Sequence, residues 1–183
     1  MGIDIDASVV RGLIGLPLED VVERLLIGVP RDKVEEFIRT RRELVERYWR
    51  SRVKLFPDVK AALNELKRSG YLLAVASSSR QERIVEFLEH FGVIGYFDYV
   101  SGVKPGVRGK PAPDVILSVL EALNKDPSEA VYVGDKEVDC VASSIAGVDF
   151  ILIERAPLSS IRSCRPKAKI STLLELPTIL KRY

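Results

Sequence analysis

Two regimes of hydrophobic spacing divide the chain near residue 52. Up to that point apolar residues recur at helical intervals. Leu18, Val21, Val22, Leu25 and Leu26 form one stripe within residues 17–26, closed by Gly28 and Pro30. Residues 32–49 predict a second, strongly charged helix with Val34, Phe37, Ile38, Leu44, Val45 and Tyr48 as its apolar positions. Beyond Arg52, helical segments alternate with short apolar runs. Pro57-Asp58 opens a helix that reaches Arg68 and is stopped by Gly70, and Tyr71 to Ala76 is a continuous apolar run, as expected of a strand covered on both faces. The same reading predicts helices over 81–91, 113–123 and 138–146, and strands over 97–100, 130–133 and 150–153. Residues 173–177 read as a packing helix without a chemical role. This order predicts an α/β fold, a doubly wound, Rossmann-like parallel sheet over 53–183, preceded by a helical unit over 1–52.

Composition narrows the classes. The chain has 183 residues, 46% hydrophobic and 30% charged, enough for a soluble domain with a real core. A net charge of +2 is too balanced to argue for nucleic acid or a membrane surface. No apolar run reaches membrane-spanning length and the start does not resemble a signal peptide, so a cytoplasmic location is expected. His90 is the sole histidine, and Cys140 and Cys164 lack C-x-x-C spacing, which argues against a His/Cys zinc site or a serine–histidine triad. Cys140 is expected to be buried as a small apolar residue. Asn and Gln total three (Asn64, Gln81, Asn124) beside abundant Arg, Lys and Glu, a bias that fits a thermophile. The arginines of the second helix (39, 41, 42, 47, 50 and 52) read as a solvated face with Glu43 and Glu46 as partners.

Candidate chemistry gathers in loops that follow predicted strands, the edge at which open α/β sheets bind ligands. Ser77, Ser78 and Ser79 follow the run 71–76 and offer hydroxyls and amides that suit a phosphate, or ordinary helix caps. Lys110 stands between Gly109 and Pro111, a rigid setting that predicts a fixed ammonium. Gly134-Asp135-Lys136-Glu137-Val138-Asp139 sets two carboxylates four positions apart after a strand, a spacing that suits Mg²⁺ or, more plainly, a helix cap and a solvated residue. Lys136 is expected to point to solvent, away from Asp135.

In order and spacing these loops resemble motifs II, III and IV of the haloacid-dehalogenase-like hydrolase superfamily, most closely its phosphoglycolate-phosphatase-type branch with a helical cap. The carriers are Ser77 ending L-A-V-A-S, Lys110 in G-K-P-A-P-D, and Asp135 with Asp139 in V-G-D-K-E-V-D. The small-residue stretch 142–148 fits the helix after motif IV. Leu55-Phe56-Pro57-Asp58-Val59 resembles the return from cap to core, and Ile14-Gly15-Leu16-Pro17 a junction within the cap. The resemblance implies hydrolysis of a small phosphorylated metabolite through an aspartyl-phosphate, with Mg²⁺ shielding charge. It further implies that Ser77 and the Ser78 amide bind phosphoryl oxygens, that Lys110 stabilises charge, and that Asp135 and Asp139 hold the metal.

The family begins with a strand ending in D-x-D-x-(T/V), which supplies nucleophile and acid/base. Here the only D-x-D is Asp4-Ile5-Asp6. Three residues before it span about 10 Å, too short for a central strand, and Ile14-Gly15-Leu16-Pro17 follows too soon for a first cap helix. Asp4, Asp6 or Ser8 is therefore expected to cap a turn. The chain is expected to start inside the cap, downstream of the true start or in a split gene, without the nucleophile, the acid/base and the first central strand; either the flanking strands close on one another, the N-terminal residues or a second copy fill that slot, or the pocket is deformed. Competing expectations are an inactive, phosphate-binding relative, a Mg²⁺-independent dehalogenase, and a phosphoglucomutase-like enzyme.

Overall fold

The computed structural model describes residues 6, 9, 13, 16, 18–155 and 161–181. The chain divides into two compact units, Met1–Leu55 and Phe56–Tyr183. In the first, α1 (Leu18–Leu25) and α2 (Arg31–Arg52) match the two expected helices. The apolar stripe of α1 buries Val22 and continues to the buried Leu26, whose amide bonds the Val22 carbonyl. α2 carries exposed ion pairs Arg31–Glu35, Lys33–Glu36 and Arg50–Glu46. Its apolar pattern misleads in its second half. Leu44, Val45 and Tyr48, expected inside, are exposed, and Trp49 is the residue that buries. Arg47 and Arg52 lie over the Tyr48 ring instead, so cations cover an aromatic face that packing does not.

The second unit is an α/β layer structure in which every strand pairing is parallel. Its order is α3 (Val59–Arg68), β1 (Ala74–Arg80), α4 (Gln81–His90), β2 (Tyr99–Val103), α5 (Asp114–Leu123), β3 (Val131–Gly134), α6 (Glu137–Ala146), β4 (Asp149–Ile153), β5 (Ala168–Ile170) and α7 (Leu176–Leu180). The strands form two hydrogen-bonded groups, β1-β2 and β3-β4-β5. Among the described residues no strand lies between β1 and β3. β4 shows why successive apolar residues are needed. Ile151 and Ile153 join Leu66 of α3, Ile170 of β5 and Leu176 of α7, while Phe150 and Leu152 pack with Cys140 of α6. Both faces are covered, as parallel sheets require. α5 and α6 close a third cluster through Val115, Ile116, Leu120, Ala142 and Ala146, against which Ala76 and Tyr132 pack.

Three expectations need correction. The strand expected at 71–76 starts at Ala74 because polar groups claim the preceding backbone. The Tyr71 amide bonds the Leu66 carbonyl at the end of α3, and Asp98 holds both the amide and carbonyl of Leu73. The strand then runs on, so Ser77–Ser79 lie within β1 and not in a loop after it. Asp98 is itself fixed by Lys67, which lowers its pKa. Secondly, Cys140 is buried but not alone: it is joined to Cys164 across 24 residues. Thirdly, β5 was not expected. Three residues are too few for an alternation to register.

One part-buried ion pair ties the ends of this unit together. Arg155, just past β4, makes two bonds to Asp58 at 2.9 and 2.8 Å, and Asp58 also accepts from Thr172 Oγ1 and the Leu173 amide. Burial alone would raise the Asp58 pKa, but Arg155, Thr172 and Leu173 outweigh it and hold the carboxyl well below its usual range. Asp58→Asn is expected to cost about 3 kcal/mol, the order found when one partner of a buried pair is removed, measured by urea denaturation at pH 7. The folded-state pKa is depressed, so the contribution is full above the ordinary 3.8 and fades as pH falls toward the lower folded value; the gap between wild type and variant should close in acid. Opening the Cys140–Cys164 link with a dithiol, or Cys164→Ser, should lower stability by about 3 kcal/mol, as for a closed loop of this order, read by the shift in thermal midpoint.

Candidate functional site

Lys110, Asp139 and the serine run are brought together where β1 and β3 end. The means is a break in the β1 ladder. Ala76 pairs with Ser101 but Arg80 with Val103, so two extra residues of β1 bulge out between those points. Bulges of this kind re-aim side chains and recur beside active sites. Within it, Ser77 Oγ accepts from the Ser79 amide at 3.2 Å, and Ser78 Oγ accepts from the Lys110 amide at 3.0 Å. The bulge thus grips the Lys110 loop by its main chain. The other end of that loop is closed by Asp114, which takes two bonds from the Arg108 guanidinium and one from its amide. The Lys110–Pro111 peptide is cis.

The Lys110 side chain is only 10% exposed, and its ammonium is 2.5 Å from Asp139 Oδ1 and 2.7 Å from the Tyr132 hydroxyl, with the Ala76 carbonyl at 3.5 Å. Burial works against the charged amine, yet Tyr132 and Asp139 outweigh it and raise the Lys110 pKa. Asp139 is as deeply committed. Its Oδ2 accepts from the amides of Asp135 and Lys136, at 3.1 and 3.0 Å, so it closes the turn at the start of α6. That closure depends on Gly134, where a Cβ would stand 2.6 Å from the Asp139 side chain. The rest of the first turn of α6 faces another segment: Glu137 Oε1 accepts from the amides of Arg162 and Ser163 and from the Ser163 hydroxyl.

Asp135 behaves differently from Asp139. Its carboxylate is 58% exposed, and Lys136 Nζ lies 3.6 Å from it, so Lys136 turns toward Asp135 and not away as expected. A hard cation at this rim would need free carboxylate oxygens, and the two acidic residues are unequal in supplying them. Both Asp139 oxygens already carry short hydrogen bonds, whereas Asp135 is open. The donor chemistry therefore fits Mg²⁺ through Asp135, since that ion takes one or two carboxylates and completes its shell with water and phosphate oxygens. Among the described residues no three His, Cys, Asp or Glu side chains converge as a ready-made cage. Asp4 lies outside the described residues. Asp6 is exposed, and its carbonyl accepts from the Val9 amide in a turn.

Tyr132 is the group that sequence reasoning passed over. Its signal was present: a tyrosine in a buried strand has a polar tip that needs a partner. Burial raises its pKa although Lys110 pulls the other way. Asp114 stands in the sequence as the last residue of G-K-P-A-P-D, and its loop-closing role follows from its contacts with Arg108, six residues away.

The arrangement fixes a positive charge beside the half-buried Ser77 and Ser78, which suits an oxyanion. No helix among the described residues is long and apolar enough to cross a membrane. The family model described as haloacid dehalogenase-like hydrolase matches residues 1–153. A "Putative pyrophosphatase PpaX" of Caldanaerobacter subterraneus subsp. tengcongensis is 31% identical over 183 residues, spanning 99% of this chain and 81% of that protein. A phosphoglycolate phosphatase of Aquifex aeolicus is 34% identical over 130 residues, covering 69% of this chain and 60% of that protein. A haloacid dehalogenase-like family hydrolase of Streptococcus pneumoniae shares the fold, with a TM-score of 0.82 at 22% identity over 97% of this chain and 83% of its own. The parallel strands, the order of the serine, lysine and aspartate loops and the matched residues lead to one statement: this chain belongs to the haloacid dehalogenase-like hydrolases.

Proposed function

We propose that the chain is a phosphatase-type member of its family, acting on the phosphoryl group of a small phosphorylated metabolite of the phosphoglycolate type. The observation that supports this reading is the Lys110 ammonium, fixed by Asp139 at the mouth of the Ser77–Ser79 bulge. In a phosphoryl-transfer site catalysis is mostly positioning and charge stabilisation, and a pre-set ammonium supplies both. Lys110 neutralises a phosphoryl oxygen; the Ser77 hydroxyl and the Ser78 amide donate to others. Asp139 acts through Lys110 and the turn at 134–136, as a positioning residue. Asp135 would hold Mg²⁺, which supplies shielding between the anionic substrate and carboxylates when bound. Lys136 competes with the cation for that carboxylate. The names of the relatives, a pyrophosphatase and a phosphoglycolate phosphatase, both denote hydrolysis at a phosphoryl group, of an anhydride in one and of an ester in the other.

The test is release of p-nitrophenol from p-nitrophenyl phosphate with and without Mg²⁺. Metal-dependent turnover requires an aspartate nucleophile, for which the sequence offers the D-x-D at Asp4 and Asp6; where turnover occurs, Asp4→Asn should abolish it and Lys110→Met should lower kcat by about 10²–10³-fold, as for loss of one fixed donor to a developing charge. Asp135→Asn should raise the Mg²⁺ concentration needed for half-maximal rate. Folded protein that binds orthophosphate without turnover would replace hydrolysis by binding; protein that does neither would overturn the reading. A second expectation concerns pH. The Lys110 pKa is raised in the fold, so its contribution to stability is full below the ordinary 10.5 and is lost only as pH rises through the higher folded value. Denaturant midpoints of wild type and Asp139→Asn should therefore keep a constant separation from pH 7 to about pH 10 and converge above it.

A further inference from the structure

The Tyr132 hydroxyl stands where two strand groups meet. It donates to the Ala76 carbonyl at 2.9 Å and accepts from Lys110 Nζ at 2.7 Å, with Asp139 Oδ1 3.5 Å away. Ala76 belongs to β1 and Tyr132 to β3, which share no ladder. A side chain thus does between these strands what main-chain bonds do within each group. The ring beneath is held by the core: it stacks beside Phe150 with centroids 6.3 Å apart and packs against the cluster of α5 and α6.

An ammonium has three protons to place. Those of Lys110 go to Asp139 at 2.5 Å, to Tyr132 at 2.7 Å and to the Ala76 carbonyl at 3.5 Å. The last is beyond the usual range for such a bond, and the carbonyl that it reaches already receives the Tyr132 proton. If that third proton turns to another acceptor, no buried carbonyl is left unpaired, so the exchange costs little. The two short bonds meanwhile keep the amine in place. This is the arrangement an incoming anion needs: two fixed bonds for direction and one that can be given up.

We propose that Tyr132 is a positioning residue for anion binding: by satisfying the Ala76 carbonyl and anchoring Lys110, it leaves one ammonium proton exchangeable toward a phosphoryl oxygen. The identity of the anion rests on the phosphatase reading above; the bond swap at Lys110 does not. Without the tyrosine hydroxyl, the Ala76 carbonyl would depend on Lys110 alone, and the amine would lose one of its two short bonds.

The test is Tyr132→Phe, which keeps the ring and its packing, so a merely structural role predicts no change. Two readouts are expected to move. The dissociation constant for orthophosphate, by titration calorimetry, should weaken about tenfold, in line with losing a hydrogen bond to a charged group. The rate of Lys110 acylation by acetic anhydride near pH 9, mapped by mass spectrometry against the other lysines, should rise several-fold, because an amine with one partner fewer is more often neutral. Unchanged acylation overturns the inference. So does unchanged phosphate affinity in a wild type that binds phosphate. If the wild type binds no orthophosphate, the phosphatase reading fails, and the acylation comparison still decides whether Tyr132 governs Lys110. Should Tyr132→Phe not fold, 3-fluorotyrosine can be incorporated into the wild type and Lys110→Met. Fluorine titration should then show the residue-132 phenol ionising at higher pH once the ammonium is gone; the same midpoint in both proteins overturns the coupling.

Discussion

The pair formed by Lys110 and Asp139 is the contact on which the rest of the site depends. It joins the loop after β2 to the first turn of α6, and each partner is also held by main chain: Lys110 through Ser78, Asp139 through the amides at 135 and 136. Desolvating two charges is expensive, and such a pair adds little net stability over well-packed apolar residues. Its value is geometric. With one partner removed, the other is left charged and buried, which makes arrangements that separate the two costly. A site built on this pair is assembled before any ligand arrives.

α6 is the element on which that assembly converges. Its first turn presents Asp139 to Lys110, Glu137 to the segment at 162–163, and Cys140 to Cys164. Gly134, immediately before the turn, leaves room for Asp139 to fold back on the amides. Past the carboxyl ends of the parallel β4 and β5, Asp58 gathers Arg155, Thr172 and Leu173, so the start of α3, the exit of β4 and the approach to α7 share one carboxylate. The guanidinium of Arg155 also lies 4.0 Å from the centroid of Phe56, the first residue of this unit. Apolar layers supply the bulk of the cohesion; these carboxylates fix which loops meet.

The two acidic residues of the 134–139 turn illustrate how equal residues acquire unequal roles. Asp139 is buried, saturated and tied to an ammonium, whereas Asp135 is exposed beside Lys136. One organises and the other is available. The same division separates Ser78, whose hydroxyl holds the Lys110 amide, from Ser77, whose oxygen accepts from the nearby Ser79 amide. Burial and hydrogen bonding decide what each can do.

The chain's own order of residues determined the α/β alternation, because covered strands need consecutive apolar residues and helices need a stripe, and β4 with its two buried faces meets that rule. It also placed Lys110 and Asp135 in loops after β2 and β3, but not Ser77, which lies inside β1. It could not show that β1 starts three residues late, because Asp98, a distant residue, claims the backbone of Leu73. Nor could it pair Cys140 with Cys164, or expose Leu44 and Tyr48 while burying Trp49. The partner of Asp139 was likewise decided only in three dimensions: spacing of four suggests a pair with Asp135, but Lys110, 29 positions away, lies closer in space than any local alternative for its charge. Local spacing fixes periodicity and turns; which charge meets which is set by how separate strands converge, and that belongs to the tertiary fold.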